Sequence, residues 1–189
     1  MVLAVRQALR HDVGMQAYKF LRRDGTNLLT GFRWPVGQWV EAEGPLAWCA
    51  NGIHACRVED LPHWLGQELW LMEMGGETLA APDAIVGRRA RLVERIGAWS
   101  GGVAQEFADS CARRATALAT GAPTVAGRAR DAAADAAVGW VSGAAYVTAA
   151  VAGEVASGRR DGPLYQHHFL AERTRQAWWL RDRLVLTDG

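Results

Sequence analysis

Near Gly97 the character of the 189-residue chain changes, and that change limits the fold more than any motif in it. Before it come short strand-like segments separated by turn residues. After it come alanine-rich stretches whose larger side chains recur at helical spacing. The expected fold is α+β: a small, mainly antiparallel sheet with a short helix, followed by an alanine-rich helical layer. Residues 1–97 form the β-rich portion and 98–189 the helical one, expected to share one compact domain.

In the front half, Ala17-Tyr-Lys-Phe-Leu21 alternates before the turn signal Asp24-Gly25. Gly31–Trp34 and Gln38–Glu41 flank Pro35-Val-Gly37 and predict two further short strands around a turn. Ile53–Cys56 reads as a short strand entered from Asn51-Gly52. Val58–Leu65 reads as a brief helix with Gly66 at its C-terminal cap. Glu68–Met74 predicts a strand bounded by Gly75-Gly76, and residues 89–96 another, with Ala90, Leu92, Glu94 and Ile96 on one face.

In the back half, Ser100 can cap a helix to about Ala119, with Val103, Phe107 and Cys111 along its core-facing stripe. Gly121-Ala-Pro123 breaks it. A helical region to about Ser157 follows, with a split expected near Gly139–Gly143, and Asp161-Gly-Pro163 opens a last helix toward Leu184. Residues 136–153 carry no charge, close to the ~18–20 residues a membrane span requires. They are mostly Ala, Gly, Ser and Thr, which partition weakly into lipid. A buried helix is expected instead, where Gly139 and Gly143 allow close approach.

Half of the residues are hydrophobic and 22% charged, as in a folded soluble protein. The net charge of +1 leaves no basic field for nucleic acid or an anionic membrane. The ten opening residues lack a signal-peptide pattern, and three cysteines make no disulfide framework, so the expected location is the cytoplasm. There is no Walker loop, dinucleotide turn, HExxH or nucleophile elbow.

The chemistry-bearing cluster is Cys49-Ala-Asn-Gly-Ile-His-Ala-Cys56. Cys49, His54 and Cys56 are soft ligands and His63 could close the set, but C-x4-H-x-C is not a familiar zinc spacing, and no metal is expected. Either Cys49 or Cys56 could be a nucleophile if an imidazole or helix N-terminus lowered its pKa. On the last helix, Tyr165, Phe169, Glu172, Gln176, Trp179, Leu180 and Arg183 share one stripe, placing a carboxylate and an amide on a largely apolar face. A buried Glu172 needs a partner, an arginine of the sheet such as Arg33, or a shifted pKa.

Polar groups on apolar faces and nine tryptophans point to a small-molecule-handling protein with a Trp-rich pocket between the two layers. In its enzymatic form it is a cofactor-independent acid/base catalyst: His54 and Glu172 transfer protons and Cys56 and Gln176 orient. Trp34, Trp70, Tyr165 and His168 complete the ligand-binding set. The competing expectation is a non-enzymatic interaction or oligomerisation module, in which residues 136–153 pack against a second copy, as a homodimer, or against another protein.

The stretches AYKFLRRDGTNLLTGFRWPVGQWV and CANGIHACRVEDLPHWLGQELWLMEM resemble an uncharacterised domain family of phage and bacterial proteins, marked by an AYK opening, a GIHAC-type turn and an ELW strand. The tail AERTRQAWWLRDRLVL resembles the closing helix of its longer bacterial members. That resemblance implies no activity and transfers no residue role. Residues 52–74 also resemble the strand, short helix, strand layout of ADP-ribosyl transferases, making nucleotide chemistry a third expectation.

Overall fold

In the computed structural model, described over residues 14–187, the residues before Gly97 form one sheet and those after it a helical layer. The ten opening residues read above lie outside the described residues. Strands β1 (Met15–Leu21), β2 (Val40–Glu41), β3 (Ile53–Ala55), β4 (Glu68–Ala80) and β5 (Ile85–Arg95) pair antiparallel throughout. The path runs β1-β4-β5-β2, and β3 shares the outer edge of β5. Helices α1 (Gly101–Ala119), α2 (Ala126–Ala137), α3 (Val141–Ser157) and α4 (Gly162–Leu184) follow.

The sheet is strongly curled. β4 and β5 lose register at Leu71/Met72 and again at Gly75/Thr78, and such bulges bend and twist a strand. Gly75-Gly76 therefore does not end β4 as the sequence suggests. Gly76 takes a φ of +73°, a bulge conformation that a side chain resists, and pairing continues to Ala80. The curl carries the end of β3 back to β1, where Tyr18 and Cys56 exchange both backbone hydrogen bonds, at 2.8 and 2.7 Å.

Both faces of the sheet are consequently covered. Tyr18, Phe20 and Leu69 pack outward into a core shared with Trp99, Phe107, Cys111, Ala144, Ala145 and Leu180. Ala17, Leu21, Met72, Met74, Ala90 and Leu92 face inward with Trp34, Ile53 and Ala55. At the seam, Phe20 meets Trp99 edge to face at 5.4 Å.

Two local expectations change. Residues 31–34 form no strand, only a bridge from Thr26 to Arg33; the segment is shaped by Asp24 and Asn27 side chains accepting from nearby backbone amides. The short helix is a 3₁₀ segment, Val58–His63, and ends at Trp64, not at Gly66. The helical region breaks at Val138–Trp140, at the split expected near Gly139, and α3 lies against α1, α2 and α4. A Cβ on Gly143 would stand 2.6 Å from the Trp140 ring and 2.7 Å from the Asp135 carboxylate, so glycine there lets the preceding segment lie close against α3. Among the described residues no helix is long and apolar enough to cross a membrane.

Candidate functional site

A cleft of about 400 Å³ opens between the segment 27–34 and the turn leading into β3. Apolar side chains wall it: Leu28, Phe32, Trp34, Ile53 and Trp64 among them. Local hydrogen bonds hold the walls. The Trp64 indole N–H donates to the Asp83 carbonyl at 2.7 Å, and Asn51 Nδ2 ties the turn to the Glu43 and Pro45 carbonyls. Gly52, with φ of +119°, lies where a Cβ would stand 2.4 Å from Val86, so the turn can lie flat on β5 only with glycine there.

Lys19 reaches into this cleft and is 6% exposed. It is the single lysine of the chain, whose other 20 basic residues are arginines. On β1 it alternates with Tyr18 and Phe20 and shares the inward face with Ala17 and Leu21. Nζ donates to the His54 carbonyl at 2.5 Å and lies 5.2 Å from the centre of the Trp34 ring. Among the described residues no carboxylate forms an ion pair with it. Burial pushes the ammonium down from its ordinary value to about 8, opposed by a weaker attraction to the Cys56 sulfur. Burial likewise drives the Cys56 thiol up to about 12, so at neutral pH the pair is a thiol beside an amine poised to lose its proton.

His54 lines the same cleft, but its ring is already engaged. Nε2 accepts from the Cys49 N–H at 3.2 Å and Nδ1 lies 3.2 Å from the Gly52 carbonyl. The arrangement suits the neutral ring protonated on Nδ1, and burial holds the pKa below the usual histidine range. Cys49 takes a φ of +59°, the backbone geometry from which its N–H meets His54. His54 thus clamps the turn with both nitrogens. Among the described residues no group of three or more His, Cys, Asp or Glu side chains is arranged to hold a metal.

The structure brings together His54, Cys56 and Trp34 from the sequence-derived set, and separates the others. Glu172 does not line the cleft: it is buried in the helical layer, paired with Arg114 at 3.3 Å and Arg175 at 2.6 Å. The partner expected from the sheet, Arg33, instead donates to the Asp24 carbonyl. Gln176 is fully buried, donating to the Ala145 carbonyl at 2.9 Å and accepting from Arg173. Tyr165 stacks on Phe169 over Gly153, and His168 faces His167. Trp70 pairs in register with Lys19 but lies outside the cleft, its indole N–H on Glu68. The expected union of His54 and Glu172 in one hollow is therefore replaced by a cleft confined to the sheet half.

Lys19 was absent from the sequence-derived set. Two signals could have found it: its position between Ala17 and Leu21 on one face of a strand, and its being the chain's single lysine.

Among curated proteins and among solved structures, none matches this chain. Residues 15–96, which contain every described side chain lining the cleft, match the family model described as a domain of unknown function, DUF7666.

Proposed function

We propose that the chain binds a small, largely apolar molecule in the cleft of the sheet half, with Lys19 as the polar anchor and general base. The observation that carries this reading is the lone lysine buried against Trp34, with no carboxylate paired to it among the described residues. A buried cation without a counter-ion is costly, and proteins retain one chiefly where a ligand or a reaction uses it. An apolar cleft with a few convergent polar groups is the common form of a small-molecule site, and here Lys19 is the charged one. An amine near the midpoint of its titration at mildly alkaline pH can accept a proton from a bound ligand. Glu172, held by two arginines, has no part in this reading, and His54 serves by shaping the wall.

The single lysine makes the test direct. Growth on lysine carrying ¹³C at Cε yields one resonance, which reports the cleft. Titration with benzyl alcohol, benzoate and larger aromatic alcohols and acids should shift that resonance saturably, while Glu172→Gln leaves the response intact. A resonance that no member of the series moves would remove the support for a ligand site.

A further inference from the structure

We infer that Lys19 captures carbonyl compounds: its Nζ condenses with an aldehyde or ketone seated in the cleft and holds it as an imine. The inference rests on the cleft being a small-molecule site and names the class of ligand it takes. Its basis is placement. Nζ is buried against Trp34 and hydrogen-bonded to a backbone carbonyl, an acceptor that holds the side chain without keeping it charged as a carboxylate would. The apolar side chains of Leu28, Phe32 and Ile53 line the cleft, and a weakly polar surround favours dehydration once the adduct has formed. Desolvated lysines in apolar pockets are the amines that form Schiff bases, and none of the chain's arginines can do so.

The condensation is balanced without any further reagent. The neutral amine's lone pair forms a C–N bond to the carbonyl carbon, and the carbinolamine then loses its oxygen as water together with the two protons the nitrogen carried. Lys19 ends as the imine nitrogen. The neighbouring Cys56 sulfur stays a thiol at neutral pH and so does not compete for the carbonyl carbon. With the amine's pKa near 8, about 300 times more of it is neutral at pH 7 than of an ordinary lysine side chain.

The test uses the intact chain with benzaldehyde and sodium cyanoborohydride at pH 7, which delivers hydride to the imine carbon and fixes the adduct as a secondary amine. Peptide mapping by mass spectrometry should find the benzyl group on Lys19. The rate should exceed that of Nα-acetyl-lysine amide at least tenfold, and prior saturation with benzyl alcohol should suppress it. The α-amino terminus serves as the internal reference. If benzyl alcohol moves the Lys19 ¹³C resonance but no adduct forms on Lys19, or forms no faster than on the free amine, the imine is overturned and the cleft remains a ligand site. If benzyl alcohol moves nothing and Lys19 is not labelled, both readings fall together.

Discussion

Replacing Lys19 with methionine keeps the length of the side chain and removes the buried charge. The pKa of the amine drops from 10.5 to about 8 on folding. Two and a half pH units correspond to roughly 3 kcal/mol of destabilisation carried by the protonated form. The sign follows from linkage. Lys19 is a base whose folded pKa is depressed, so between pH 8 and 10.5 the unfolded chain still holds a proton that the folded chain has released. Stability from this group therefore rises with pH across that window and is flat below it. Between pH 7 and pH 10 the wild type should gain about 2.5 kcal/mol relative to Lys19→Met, the other titrating groups cancelling in the difference. At pH 7 the variant should be the more stable protein by about 1–2 kcal/mol, after allowing for the lost hydrogen bond to the His54 carbonyl. Chemical denaturation of both proteins at the two pH values measures this directly. Stability differences that stay constant from pH 7 to pH 10 would refute the reasoning, since an ordinary amine produces no such divergence.

Other expectations concern the surroundings of the cleft and the helical layer. Because burial depresses the His54 pKa, acid should cost the folded chain stability as pH falls below the ordinary histidine value of 6.5, and a His54→Ala chain, less stable at pH 8, should lack that part of the acid slope. Ellman's reagent on the folded chain should find one fast thiol, the exposed Cys49, with Cys56 and Cys111 reacting only on unfolding; three equally fast thiols would contradict the burial described. Glu172→Gln should cost about 2 kcal/mol in a denaturant titration by weakening the Arg114 and Arg175 bonds. Gly153→Ala places a methyl group 2.5 Å from the Tyr165 ring and should cost about 1–3 kcal/mol by the same measurement.

Much of the architecture was legible because it depends on periodicity. Tyr18, Phe20 and Leu69 alternate with inward neighbours, and Phe107 and Cys111 mark the buried face of α1, so those elements stand near where the pattern puts them. Residues 31–34 misled because Trp34 turns inward from a loop ordered by the Asp24 and Asn27 side chains, bonds that leave no periodic trace. Gly75-Gly76 misled because a glycine pair reads the same whether a strand stops or bulges. For Glu172 the pattern showed a carboxylate on an apolar face. Its partners were one turn along, at Arg175, and on α1, where no spacing rule pointed. Lys19 escaped because an alternating segment is ordinarily wet on one side, and only the closure of the sheet around Trp34 and β3 makes both sides of β1 dry.

Tyr18 holds three remote parts of the molecule at one point. Its backbone grips Cys56, its ring packs against the helical layer, and its hydroxyl donates to the Thr187 carbonyl at 2.9 Å. During synthesis from the amino end, β1 must then wait for the residues around Thr187 before its outer side is sealed. Removing the residues around Thr187 would take both hydrogen-bond partners from the Tyr18 hydroxyl and uncover the outer side of β1, so this stretch acts as a latch on the sheet.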